Sequence, residues 1–191
     1  METYDKGKIG ELISWGGEHF VYNYGEDKVI KFSSLFYIIG KDKALLKLEK
    51  DYKICQEFFG GYILQTEAMV SPNKKYFVQV QPKINGRFLY SKDLENEEIR
   101  KQFIEIIDSY NKMIKSGDPE VDLIGRGGVL NPCLSNIFVT DNNKLKIIDA
   151  TLLSVEGFTF LRLYIFLLRK IVIYIQNRTI KLFINKINNH N

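Results

Sequence analysis

Apolar positions fall into short runs split by turn residues early in the chain, and into helical spacings later. Ile13 leads into Gly16-Gly17, a pair suited to a tight turn, and Phe20-Val21-Tyr22 continues as a strand. Gly25-Glu26-Asp27 predicts another turn, and Val29-Ile30-Lys31-Phe32 a short strand with one lysine among apolar residues. From Lys41 to Phe58, the residues Leu45, Leu46, Leu48, Tyr52, Ile54, Cys55 and Phe58 approximate a helical period, which Gly60-Gly61 ends. Tyr62–Val70 and Tyr76–Gln81 read as two further strands, parted by Ser71-Pro72-Asn73-Lys74. Five strands and one helix are therefore expected before the extended stretch Gln81-Pro82-Lys83-Ile84-Asn85-Gly86.

Beyond that stretch the pattern changes. Asn96 to Lys115 predicts a helix with Ile99, Phe103, Ile106, Ile107, Tyr110 and Ile114 on one face, ended by Gly117-Asp118-Pro119. Val121–Gly125 reads as a short strand, and Gly125, Gly127 and Gly128 as a flexible link into Asn131-Pro132-Cys133-Leu134-Ser135-Asn136. Next come two apolar runs, Ile137-Phe138-Val139 and Leu145 with Ile147 and Ile148, around the turn Asp141-Asn142-Asn143. A tight hairpin over this segment brings Asn136 and Asp149 together at its open end. The tail from Phe158 to Ile187 is rich in Phe, Leu, Ile and Tyr and carries Arg162, Arg169, Lys170, Arg178, Lys181 and Lys186. It predicts one or two amphipathic basic helices, packed on the fold or lying at a membrane interface. A span over Phe158–Gln176 has nearly the length required, but Arg162, Arg169 and Lys170 are costly in hydrocarbon. The Asn-rich end, Asn185 to Asn191, is expected to fray.

Composition narrows the class. A chain of 191 residues that is 45% hydrophobic and 26% charged fits one globular domain in two lobes. The net charge of +4 is spread along the chain, which favours a solvated surface over nucleic-acid binding. Met-Glu-Thr-Tyr-Asp-Lys is unlike a signal peptide. Cys55 and Cys133 are isolated and read as free thiols of a reducing, cytoplasmic compartment. His19 and His190 are the only histidines, which argues against a Ser-His-Asp triad or a histidine metal centre.

The candidate chemistry lies at the hairpin mouth. An amide and a carboxylate converging there form an oxygen-rich site for a hard cation, Mg2+ or Mn2+. With Lys31 upstream, this segment resembles the metal-binding half of the protein-kinase-like superfamily, in which an Asn ends the catalytic loop and an Asp opens the activation segment. The likeness covers roughly residues 10 to 152. It implies an α+β, two-lobed kinase-like fold with a truncated helical C-lobe: residues 1–82 as N-lobe, 83–86 as hinge and 87–191 as reduced C-lobe. By the same resemblance Gly16 and Gly17 form a degenerate glycine-rich loop and Lys31 contacts ATP phosphates. Glu49, eighteen positions on, holds that lysine; its other reading is a solvated residue paired with Lys53. Gln81 and Lys83 belong to a hinge that binds the adenine edge, and Asn136 with Asp149 hold the metal.

Departures from the pattern accompany the likeness. Asn131 stands five positions before Asn136, where active kinases carry the proton-accepting Asp, and an amide is no base. Asp122 is the nearest upstream carboxylate and the candidate for a displaced base. Ala150 and Thr151 follow Asp149 where Phe and Gly are usual, no Ala-Pro-Glu triplet is present, and forty-two residues remain after Asp149. The resemblance implies an ATP-dependent phosphotransferase with a protein substrate. Its alternatives are a pseudokinase serving as nucleotide-binding or scaffold module, and an enzyme that transfers AMP.

Overall fold

The computed structural model describes residues 2–15, 19–33, 40–73, 76–125, 127, 132–153 and 159–189, with side chains left out over 159–167. The chain forms two compact units. One comprises Met1–Lys53 and Leu64–Ile84; the other comprises Ile54–Ile63 and Asn85–Asn191.

The first unit is built on a five-stranded antiparallel sheet: β1 (Ile9–Trp15), β2 (His19–Tyr24), β3 (Lys28–Ser33), β4 (Glu67–Val70) and β5 (Phe77–Pro82), in the order β1-β2-β3-β5-β4. Tyr24, Ile30, Met69, Val78 and Val80 form a buried cluster with Tyr4. Phe32 adds edge-on ring contacts to Tyr4 and Tyr22 at centroid distances of 6.0 and 5.6 Å. Lys31 pairs across the sheet with Gln79, and Gln79 with Ala68. Directly opposed residues share a face, so these three lie on the side away from Ile30 and Val80.

Helix α1 (Lys41–Phe59) belongs to the first unit through Lys53 and to the second from Ile54. Its buried positions are Ala44, Lys47, Asp51, Cys55 and Phe59, at helical spacing. Leu46, expected among the apolar periodic positions, is exposed. The buried stripe was hidden in the sequence because two of its members are charged; Lys47 Nζ bonds Asp51 Oδ2 at 2.5 Å.

In the second unit β6 (Gly86–Tyr90), β7 (Cys133–Thr140) and β8 (Leu145–Ile147) form an antiparallel sheet in that order. Helix α2 (Glu97–Ser116) is capped by Asn96, whose Oδ1 accepts from the N–H groups of Glu98 (3.0 Å) and Ile99 (3.2 Å). Gly117, in the left-handed region at φ 84°, closes its other end. The buried face of α2 is Ile99, Phe103, Ile106, Ile107, Tyr110 and Met113; Met113 takes the place expected of Ile114, which is exposed. The tail forms a single helix, α3 (Thr159–Asn188), with Ile180, Phe183 and Ile187 buried and Phe183 against Phe103 at 5.6 Å. Among the described residues no helix is long and apolar enough to cross a membrane.

Three sequence expectations change. The strand expected over Tyr62–Val70 is confined to Glu67–Val70, because Gly60–Tyr62 forms a tight 3-10 turn and Ile63 bridges Ile147. Val121–Gly125 is not a strand; only Val121 is bridged, to Leu152. The first hairpin strand begins at Cys133, where pairing with Tyr90 starts, so Asn136 lies inside β7 rather than before it.

Candidate active site

The hairpin turn holds Asn143 at φ 58°, a left-handed conformation that asparagine tolerates. Ile137 pairs with Ile147, and the Ile148 N–H donates to the Asn136 carbonyl at 2.9 Å. Asp149 therefore leaves β8 beside Asn136. Thr151 fixes its carboxylate, with the backbone N–H (3.1 Å) and the hydroxyl (2.7 Å) both donating to Oδ1. The departure at position 151 thus supplies a donor.

Asp122 joins this pair. The Asn136 side-chain amide donates from Nδ2 to the Asp122 carbonyl at 2.8 Å, and the Asp122 N–H donates to the Thr151 carbonyl at 3.1 Å. Its carboxylate Oδ1 accepts from the N–H groups of Ile124 (3.0 Å) and Gly125 (2.9 Å). Burial pushes this carboxyl above its ordinary value, and the negative charge of Asp149 pushes the same way. The backbone bonds from Gly125 and Ile124 oppose both. Gly125 sits at φ 51°, and a Cβ there would lie 2.5 Å from both Asn136 Oδ1 and Ser135 Oγ. The chain turns at this point with space only for glycine.

Sequence reasoning missed Gln176. This residue of α3 is fully buried. Its Oε1 accepts from the N–H groups of Leu123 (2.7 Å) and Ile124 (3.2 Å), while Nε2 donates to the Val121 carbonyl (3.1 Å) and the Tyr110 hydroxyl (2.9 Å). One side chain thus partners the N–H groups of Leu123 and Ile124 and the Val121 carbonyl. The one clue in the sequence was a glutamine directly after the apolar run Ile171–Ile175. Tyr110 also donates to Glu120, and burial with that neighbour raises its pKa.

In the first unit Lys31 is buried in the middle of β3. Glu49 is exposed and lines a surface depression of about 330 Å³ with Leu48, Tyr52, Thr66 and Ala68. The acidic residue on the buried side of α1 is Asp51. Gln81 is buried and its Nε2 donates to Thr66 Oγ1 at 2.7 Å. Lys83 is exposed, and its backbone N–H donates to the Asp27 carbonyl at 2.7 Å. Gly16, Gly17 and Asn131 lie outside the described residues.

Among the described residues no group of three or more His, Cys, Asp or Glu side chains is placed to hold a metal. Asn136 and Asp149 offer one amide and one carboxylate, oxygen donors of the kind a hard cation takes. With its Nδ2 committed to Asp122, the Asn136 amide keeps its oxygen as the acceptor.

No protein-family model matches the chain, and no curated protein matches it. Among solved structures it is similar to the apo form of PpkA-294, at 13% identity and a TM-score of 0.50. The match covers 78% of this chain and 60% of the other, so the chain spans about three fifths of that structure's length. The fold is α+β and kinase-like. At this identity the likeness is one of fold.

Proposed function

We propose that the chain is an ATP-dependent phosphotransferase in which Asp122 accepts the proton. The observation that carries this reading is that Asp122 bonds the Asn136 amide through its backbone carbonyl, while its carboxylate is held by two backbone N–H groups within reach of the Asp149 charge. In the kinase-like pattern the base precedes the metal-binding Asn by five positions; here the carboxylate lies 14 positions before it. A raised pKa makes Asp122 a stronger base than an ordinary carboxylate. In the step proposed, a bond forms from the acceptor hydroxyl oxygen to the γ-phosphorus, the bond to the bridging oxygen of ADP breaks, and the hydroxyl proton passes to Asp122.

Asn136 and Asp149 would hold Mg2+ or Mn2+, which neutralises phosphate charge. By the resemblance Lys31 is the candidate phosphate-binding lysine, and the burial of Asp51 makes it a better candidate than Glu49 for the helix carboxylate. The acceptor is read as a protein hydroxyl, on the resemblance alone.

The test follows label from γ-labelled and α-labelled ATP onto the protein itself and onto a generic protein acceptor. Transfer of the γ label is expected, with Asp122→Ala abolishing it while the nucleotide-dependent rise in melting temperature persists. Asp149→Ala should remove the metal-dependent part of that rise. Transfer from α-labelled ATP alone would make the chain an AMP transferase. A thermal shift without transfer would make it a nucleotide-binding pseudokinase, and no shift at saturating nucleotide a scaffold. If Asn131→Asp restores transfer to the Asp122→Ala protein at the wild-type rate, the base is not tied to position 122.

A further inference from the structure

Helix α3 has two sides of different character. Gln176, Thr179, Ile180, Phe183 and Ile187 are buried within the second unit. On the opposite side Leu168, Ile171, Tyr174, Arg178, Lys181 and Leu182 are exposed and recur at three- and four-residue spacing. Tyr174 is 65% exposed and Ile171 54%. From Leu168 to Leu182 this stripe runs about 21 Å at 1.5 Å per residue.

Charge on the helix is one-signed. Its sequence holds Arg162, Arg169, Lys170, Arg178, Lys181 and Lys186 and no Asp or Glu. These six cations exceed the chain's net charge of +4, so the rest of the chain is net acidic. Lys186 is paired with Glu95 at 2.7 Å, and Arg178 and Lys181 lie on the exposed side. A second copy of the chain fits this side poorly. A two-fold contact sets the same patch against itself, and here that opposes cation to cation. An anionic plane fits it well, because a convex stripe alternates aliphatic and aromatic groups with cations.

We infer that the exposed side of α3 lies on an anionic phospholipid surface. Leu168, Ile171, Tyr174 and Leu182 reach the acyl boundary, and Arg178 and Lys181 sit among the headgroup phosphates. The helix rests in the interface and does not cross it. This inference is independent of the phosphotransferase reading and needs no nucleotide to be tested.

The experiment is co-sedimentation of the full chain with vesicles of phosphatidylcholine alone and of phosphatidylcholine containing phosphatidylserine. Binding to the second is expected to be at least about tenfold tighter and to weaken as salt is raised. Arg178→Glu with Lys181→Glu should abolish it, and Ile171→Ser with Tyr174→Ser should weaken it severalfold. Both variants should melt as the parent does, since the altered side chains are exposed. Equal binding to both vesicles, binding to neither, or indifference to both variants overturns the inference. A concentration-dependent dimer that the same variants disrupt assigns the face to a second copy instead. Binding to polyglutamate that survives the Ile171 and Tyr174 changes and matches the vesicle affinity assigns it to an acidic protein.

Discussion

Asp122 and Gly125 decide the site at the level of single residues. The folded protein holds Asp122 with its pKa raised by burial and by Asp149. Its contribution to stability is therefore full below the ordinary carboxylate pKa and is lost as pH rises through the folded value. Asp122→Asn keeps an oxygen for the N–H groups of Ile124 and Gly125 and removes the repulsion. In chelator-treated protein it should raise the melting temperature at pH 7, with the gain shrinking toward pH 4, and it should abolish transfer. A scan that finds this variant less stable at pH 7 contradicts the account. Gly125→Ala imposes a side chain at φ 51° against Asn136 and Ser135. It should cost about 1–3 kcal/mol, read by urea unfolding, and displace the Asn136 amide.

At the scale of elements, α3 supplies through Gln176 the acceptor for the Leu123 N–H and the donor for the Val121 carbonyl. Gln176→Leu takes the Gln176 partner from the Leu123 N–H and the Val121 carbonyl in a buried place, at about 2–4 kcal/mol, while the Ile124 N–H keeps Asp122. Transfer should fall mainly in kcat, with nucleotide-induced melting shifts kept; Gln176→Glu, which retains an acceptor, should recover part of it. A loss confined to KM would mean that Gln176 does not position Asp122. The hairpin of β7 and β8 was legible because its apolar runs and its left-handed Asn143 are local signals. The buried side of α1 was not, since Lys47 and Asp51 occupy core positions and break the apolar period. Gln176 escaped notice for a different reason: its bonding partners lie more than fifty positions away, and no periodic pattern encodes such a contact. Asp122 was legible only as a nearby carboxylate, because its bonds depend on a glycine turn that spacing does not reveal.

For the whole molecule, the kinase-like order of Lys31, Asn136 and Asp149 along the chain is readable without coordinates, and the fold accords with it. The carboxylate that completes the proposed chemistry is set by contacts at long range. The order in which residues emerge during synthesis then matters. Leu123 is 53 positions ahead of the glutamine that accepts its N–H. At cellular elongation rates that gap lasts roughly 3–10 s. During that interval Asp122 and Asn136 already exist, but the Leu123 N–H lacks the side chain that accepts it. A nascent chain paused before position 176 should expose the Leu123 amide to solvent exchange, while β1 to β5 already exchange slowly. Protection of Leu123 should appear together with α3, and earlier protection would show that the segment orders without it. The catalytic half of the proposed site is thus among the last parts of the protein to mature, so a newborn chain should gain its sheet before its chemistry.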